Sequence, residues 1–280
     1  MTEVNQSPIL VVAGVRNEVS LGWSAVETWL ARDPNNQVLV TVRSDKGREF
    51  VEERSKELDG RIAIATIDWK DTDASNSLNK TLTGLMGKDR AVSGVVHAVA
   101  KADQSNFRRP AHELDPQVYN DALNVSTISL IRLIRGSRDH LRNNGGIVTF
   151  GFGEPRRVVE GYGGAMSVAK VALSQLVAEL AVSLGRSDPP ARTAEIVTGY
   201  IPTHAGRAVA LLQRIKPSEV EEKAIQASPL KSTSSDSQRI AAGQIAVSFI
   251  ADPMYGQSTG QRFSVDGGLN LIGPELFLDR

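Results

Sequence analysis

A doubly wound α/β fold built on a parallel sheet is what this sequence predicts, and three observations predict it. Apolar, strand-like runs alternate with longer amphipathic ones along nearly the whole chain. The amphipathic stretches, about 12 to 25 residues each, are long enough to bridge parallel neighbours with right-handed crossovers. No internal repeat and no linker divides the 280 residues, so residues 1–280 are expected to form a single domain with a substantial core.

The candidate strands are Ile9–Ala13, Val38–Val42, Ile62–Thr66, Val92–His97, Ile147–Phe150, Thr193–Val197 and Arg262–Val265, which fit one seven-stranded sheet. The segment from Thr203 to Asp236 is the main irregularity. It joins an amphipathic piece at Ala208–Lys216 to an acidic run and a Ser/Thr patch at Ser232–Asp236. In a doubly wound fold an excursion this long after a late strand is expected to cover a substrate; a surface insertion is the bland alternative.

Composition narrows the chemistry. The 32 basic and 32 acidic residues balance, so neither a nucleic acid nor a membrane surface is an expected partner. Cysteine is absent, which excludes disulfides and thiolate catalysis, and the four histidines, His97, His112, His140 and His204, lack metal-ligand spacing. The first seven residues include an acid and no apolar run, so the expectation is a soluble, cytoplasmic protein without signal peptide or membrane span.

The first strand-turn-helix of such a sheet receives a pyrophosphate on backbone N–H groups and a helix N-terminus. Here the turn runs from Ala13 to Trp23 with Gly14, Ser20, Leu21 and Gly22, and it lacks Gly-x-Gly-x-x-Gly. Gly14 allows close backbone approach, and Ser20 is expected to cap the helix and touch the phosphates. After the second strand come Arg43, Lys46 and Arg48, with Asp45 the only acid among them. An Arg at that strand end neutralises a ribose 2′-phosphate, whereas an acid would accept from a free 2′-hydroxyl; this favours NADPH over NADH.

The segment Tyr162–Lys170 is the most informative. In short-chain dehydrogenase/reductases a Tyr and a Lys four residues apart share a helical face, the ammonium holding the cofactor ribose and lowering the phenol pKa. Here Met166 stands four residues before Lys170, and a thioether donates no proton. Met-x-x-x-Lys with an upstream tyrosine resembles the enoyl-acyl-carrier-protein reductase branch of that superfamily, whose fold is Rossmann-type. The resemblance makes Tyr162 the candidate acid.

Other landmarks of that branch fall in order. The first turn, with one glycine after the strand and Ser20-Leu21 opening the helix, resembles the family's. Asp68-Trp69 resembles the acid and hydrophobe placed around the adenine, and His97-Ala98-Val99-Ala100 resembles a run lining ribose and nicotinamide, with Ala98 lacking the usual hydroxyl. The loop at Phe150–Pro155 carries no serine, so ketone polarisation by a Ser-Tyr pair is not expected. Phe152, ten residues before Tyr162, resembles the family's second aromatic. Gly199–Thr203 resembles the Gly-Pro-Ile-x-Thr segment that packs Ile201 on the nicotinamide and leaves Thr203 near the phosphates, with Tyr200 replacing proline. Ser228–Lys231 and Val265–Gly268 resemble the late turn and the closing strand.

One spacing departs. Tyr162 precedes Lys170 by eight residues where the family has seven, and at about 100° per residue a regular helix would swing the phenol out of line. Gly161, Gly163 and Gly164 could absorb the extra residue by keeping that stretch non-helical.

The resemblance implies NADPH- or NADH-dependent reduction of the 2,3 double bond of an acyl thioester, on acyl carrier protein or coenzyme A. Tyr162 would stabilise the enolate, Lys170 would orient the cofactor, and Phe152, Met166, Ile201 and the excursion would wall the acyl chain. It further implies a homotetramer assembled through residues 117–141, 164–184 and the last strand. Two alternatives stay open. A carbonyl reductase of the same fold could use Asn124, and a cofactor-binding scaffold without turnover would account for Ala98, Tyr200 and the displaced tyrosine.

Overall fold

In a computed structural model, the chain is described over residues 7–272 apart from 59, 87–90, 102, 108, 154–156, 160–161 and 232–233. Seven strands, β1 (Ile9–Ala13), β2 (Gln37–Val42), β3 (Ile62–Thr66), β4 (Val92–His97), β5 (Leu141–Phe152), β6 (Ala191–Thr198) and β7 (Gln261–Val265), form one sheet in the order β3-β2-β1-β4-β5-β6-β7. Every neighbouring pair is parallel. The expected strands are all present. β5 begins six residues earlier than expected because Leu141 pairs with Val92 ahead of an irregularity, and β6 gains three residues of ladder.

Nine helices accompany the strands among the described residues: α1 (Leu21–Arg32), α2 (Asp45–Lys56), α3 (Ala74–Met86), α4 (Pro116–Leu123), α5 (Ser129–Ser137), α6 (Gly164–Gly185), α7 (His204–Leu212), α8 (Pro217–Ala227) and α9 (Ser235–Ala251). Strand side chains alternate between the sheet's two faces. Leu10 and Val12 join Trp23, Trp29, Val247 and Phe249 under α1 and α9. Ile9, Val11 and Ala13 join Leu78, Leu133 and Leu173 under α3, α5 and α6. Burial on both faces is why the strand sequences are apolar runs rather than alternating ones.

The amphipathic piece expected at Ala208–Lys216 lies four residues earlier, as α7, because the Thr203 hydroxyl accepts from Gly206 N–H and starts the helix there. Pro217 opens α8 at its first turn, where a missing N–H costs nothing. By length and composition α6 could cross a membrane. Its inner stripe, Ala165, Ala169, Leu173, Val177 and Ala181, is core instead, while Val168, Val171 and Val182 face outward.

Two close approaches set the sheet's geometry against α9. A Cβ on Gly94 would meet the Gly146 carbonyl oxygen at 2.3 Å and Ile250 at 2.8 Å, and one on Gly146 would meet Ile250 at 2.8 Å. The glycines let α9 lie directly on β4 and β5. Gly94→Ala is therefore expected to cost about 2 kcal/mol or more in unfolding free energy, read as a lowered denaturation midpoint.

Candidate active site

The strand order reverses between β1 and β4, and ligands of open α/β sheets bind outside the strand C-termini at such a switch point. Gly14 follows β1 with φ +99°, and a Cβ there would lie 2.3 Å from the Ala98 carbonyl oxygen. The Ala98 N–H donates to Ala13, so the ends of β1 and β4 are tied together with the chain at its narrowest. Val99 packs on the core beneath, and Ala100 is exposed.

Ser20 departs from expectation. It stands at the N-cap of α1 but makes no side-chain cap; its hydroxyl accepts from Arg16 and Asn17 N–H at 3.2 and 3.1 Å and donates to Asn17 Oδ1. The serine thus braces the loop, and the first N–H groups of α1, Leu21 and Gly22, have no side-chain acceptor among the described residues. An uncapped helix N-terminus is a ready anion site.

Cations gather on the same edge. Burial, then the charges of Arg16, Lys46 and Arg207, lower the pKa of His204, so three basic side chains from three elements converge there. Sequence reasoning named only Lys46 among them; Arg16 and Arg207 each look like an ordinary surface cation until the fold joins them. Arg43 at the end of β2 is exposed, with no hydrogen bond or ion pair among the described residues. Arg48 is not a free cation: it bonds Thr66 Oγ1 at 2.9 Å and pairs with Glu52 at 3.0 Å, one turn on, an acid the local reading around Asp45 left out.

Trp69 is likewise not at an open surface. It is buried under the sheet, its Nε1–H donating to Thr41 Oγ1 at 3.0 Å, while Asp68 is exposed and accepts from Lys70 N–H. His97 is a core residue: Nε2 lies 2.7 Å from Ser129 Oγ and Nδ1 2.9 Å from Thr149 Oγ1. Burial, with the charge of Lys170, pushes its pKa down to about 3, so the ring is neutral.

Tyr162 and Lys170 each contact the end of β5. Lys170 is 8% exposed and donates from Nζ to the Phe150 carbonyl at 2.7 Å. Burial drives its pKa down to about 8 against the opposing pull of Glu195, leaving it charged at neutral pH. Two residues beyond Phe150, the Phe152 ring packs on the Tyr162 ring with centroids 4.1 Å apart. Burial raises the Tyr162 pKa, which keeps the phenol protonated.

The eight residues from Tyr162 to Lys170 do not all lie in α6. Gly163, at φ +89°, stands at its N-cap, so Tyr162 precedes the helix and carries no helical phase. Gly164 is already helical, and Gly161, like Pro155, lies outside the described residues. Asn106, from a short 3-10 turn after β4 and 1% exposed, does the capping: Oδ1 accepts from Ala165 N–H at 2.6 Å and Met166 N–H at 3.3 Å, and Nδ2 reaches the Tyr162 carbonyl. A Cβ on Gly163 would lie 2.0 Å from Asn106 Nδ2. Sequence reasoning missed Asn106, since a cap donated from 59 residues away leaves no local signature.

Met166 is a packing residue. It is buried with Leu114, Ala122, Ala165 and Ala169, and Tyr162 packs on the same cluster. Beside it, residues Asn124–Ile128 form a π-helical turn that aims Ser126 Oγ toward Met166 Sδ, 3.8 Å away. Asn124 Oδ1 accepts from Arg132 Nη2 at 2.7 Å. Ile201 is buried, with a Cβ on Gly206 only 2.2 Å from its carbonyl oxygen, and the Thr203 hydroxyl is taken up in capping α7. From α7, Gln213 Nε2 donates to Phe107 O at 2.8 Å, linking the excursion to the turn that carries Asn106. Ser228 Oγ donates to Asp266 O at 3.1 Å, docking the late turn on the closing one.

With this geometry in view, residues 14–270 match the family model described as Enoyl-(Acyl carrier protein) reductase. The chain belongs to that family. Enoyl-acyl-carrier-protein reductase (NADH) FabI of Rickettsia prowazekii is 26% identical over 268 residues, 96% of each chain, and that of Synechocystis is 27% identical over 263 residues, 94% of this chain and 96% of the other. Among solved structures, the Bacillus cereus enoyl-acyl carrier protein reductase, crystallised with NADP+ and an indole naphthyridinone, superposes with a TM-score of 0.83 at 23% identity, covering 97% of this chain and all of that one. The Aquifex aeolicus reductase gives 0.81 at 24% identity, covering 96% of this chain and 98% of that one. The fold is that of these enoyl reductases.

Asn106→Ala is expected to lower stability by about 1–2 kcal/mol, with Asn106→Asp, which keeps the acceptor, losing less than half of that; thermal denaturation distinguishes them.

Proposed function

We propose that this oxidoreductase reduces the 2,3 double bond of an enoyl thioester with NADPH in preference to NADH. The observation that carries the reading is the placement of Tyr162 outside α6, stacked on Phe152, with Lys170 held at the same strand end. That arrangement puts one neutral donor and one cation where a carbonyl-reducing Ser-Tyr pair is missing.

The residues present fit a dinucleotide. Gly14 leaves room for close approach, Leu21 and Gly22 N–H stand uncapped, and Arg16, Lys46 and Arg207 supply positive charge for phosphates. Ser20 acts through the loop it braces, Ala98–Ala100 and Ile201 line the nicotinamide end, and Thr203 holds the α7 terminus beside it. Asp68 is the solvent-facing group for the adenine end, with Trp69 supporting it from below. Arg43, unpaired among the described residues, is the residue for a 2′-phosphate, which is the basis for preferring NADPH.

When bound, the nicotinamide supplies the hydride that goes to the β-carbon of the thioester. Tyr162 donates a hydrogen bond to the thioester oxygen, where negative charge develops. Its raised pKa keeps it a donor, and burial strengthens that bond by excluding water. Lys170 releases the Phe150 carbonyl and takes ribose hydroxyls, orienting the ring rather than transferring the proton itself. The α-carbon then takes its proton from solvent.

Phe152 and the 203–236 excursion wall the acyl chain, α7 standing over the site through the Gln213–Phe107 contact; Met166 supports that wall from the core. Acyl carrier protein is the proposed carrier. The outward Val168, Val171 and Val182 of α6, with β7 alongside, are the proposed subunit contacts of a homotetramer acting in the cytoplasm.

Purified protein is expected to oxidise NADPH with crotonyl or longer enoyl thioesters and not with ketones. Tyr162→Phe should lower kcat about 100-fold or more with little change in cofactor Kd; ketone turnover without enoyl turnover would sink the assignment. Arg43→Ala should weaken NADPH about 10-fold and leave NADH within about twofold, measured by fluorescence titration.

A further inference from the structure

Four consecutive residues at the end of β5 are each held by a different group. The Phe150 carbonyl accepts from Lys170, and Gly151 lies against Glu195, whose Oε1 would be 1.9 Å from a Cβ at that position. Phe152 packs on Tyr162, and the Gly153 carbonyl accepts from Arg262. Glu195 lies within β6 and is 2% exposed. Its Oε2 accepts from Ser174 Oγ at 2.7 Å and pairs with Arg262 Nε at 3.1 Å. Ser174 lies one turn beyond Lys170 on α6, so Glu195 faces the cofactor lysine's helix on one side and Arg262 of β7 on the other.

An ionised carboxylate taken out of water is costly, and a strand interior could be filled by an aliphatic residue at no such cost. A buried pair of this kind is poorly explained by stability alone, and it lies against Gly151 and Ser174. We propose that Glu195, held by Arg262, is a positioning residue for the active site, fixing both the turn of α6 next to Lys170, through Ser174, and the Gly151–Gly153 segment that presents Phe152 to Tyr162. The inference rests on the reading of Lys170 as the cofactor lysine.

Among the described residues, the charges facing Lys170 are few. Glu195 comes from β6; His97, from β4, is neutral; Tyr162, before α6, is protonated; Arg262 reaches it only across Glu195. Glu195 is the only one of these that favours the ammonium. Lys170 already titrates near 8, well below a lysine's ordinary value, because burial outweighs that attraction. A protonated Lys170 donates to ribose hydroxyls; as pH rises through the folded pKa this donor weakens. Removing Glu195 moves that loss to lower pH, and removing Arg262, which competes for Glu195, moves it to higher pH.

The test uses the full-length protein. NADPH binding is followed by fluorescence from pH 6 to 10, and the Lys170 Nζ titration is followed by NMR on lysine-labelled protein without cofactor. Glu195→Gln is expected to shift both alkaline limbs down by about one pH unit and to weaken NADPH about threefold at pH 7.5. Arg262→Gln shifts them up while raising the KM for enoyl thioester, through loss of the Gly153 anchor. Limbs that superimpose on wild type in both variants, whatever happens to thermal stability, would overturn the proposal and leave the pair a packing feature. If Glu195→Gln does not fold, Arg262→Gln decides by the same limbs. Absence of enoyl turnover by the wild-type protein would strike the proposed function instead, and the cofactor-free lysine titration would still decide the role of Glu195.

Discussion

The centre of the sheet leaves no room for a side chain at residue 14. With β1 and β4 adjacent and their ends tied through Ala13 and Ala98, the chain leaving β1 must pass over the Ala98 carbonyl within van der Waals distance. Only a glycine at positive φ makes that passage without strain. Everything at the site is arranged around the crevice so formed. The loop braced by Ser20 rises from it on one side, and the ends of β5 and β6, bearing Phe152 and Ile201, close it on the other.

Near that crevice, titratable groups are held where water is scarce. Lys170 is charged at neutral pH although burial opposes it, and His97, one strand away, yields its charge entirely. The two outcomes follow from partners. His97 has only hydroxyls at both nitrogens, which satisfy a neutral ring, whereas Lys170 has a carbonyl and the field of a carboxylate. A site assembled from such groups is less stable than an apolar core of the same shape would be, which is the usual relation between stability and function at a site.

Much of this was legible in the sequence. The strand periodicity located all seven strands, because residues buried on both faces of a parallel sheet leave continuous apolar runs. The pairing of Met166 with Lys170, read with the serine-free loop after β5, pointed to one branch of a large superfamily, because those positions carry the difference in chemistry. What stayed hidden was long-range or three-dimensional. Whether Ser20 would cap its helix or brace its loop turns on one rotamer. Trp69 reads equally as a platform for a base or as core. Asn106 caps a helix far along the chain, and Glu195 sits in an apolar strand where nothing nearby reveals Arg262. Eight residues between Tyr162 and Lys170 looked like an error of phase only while both were assigned to one helix.

The cap on α6 ties together parts of the molecule that chain order keeps apart. Asn106 grips both the first turn of α6 and the carbonyl of Tyr162, and its neighbour Phe107 is held by Gln213 of α7. A displacement of α7 would therefore be felt at the turn that grips the Tyr162 carbonyl. The start of α6, the turn after β4 and α7 are thereby placed as one unit, and the position of Tyr162 is set by a contact 56 residues away as much as by its own neighbours.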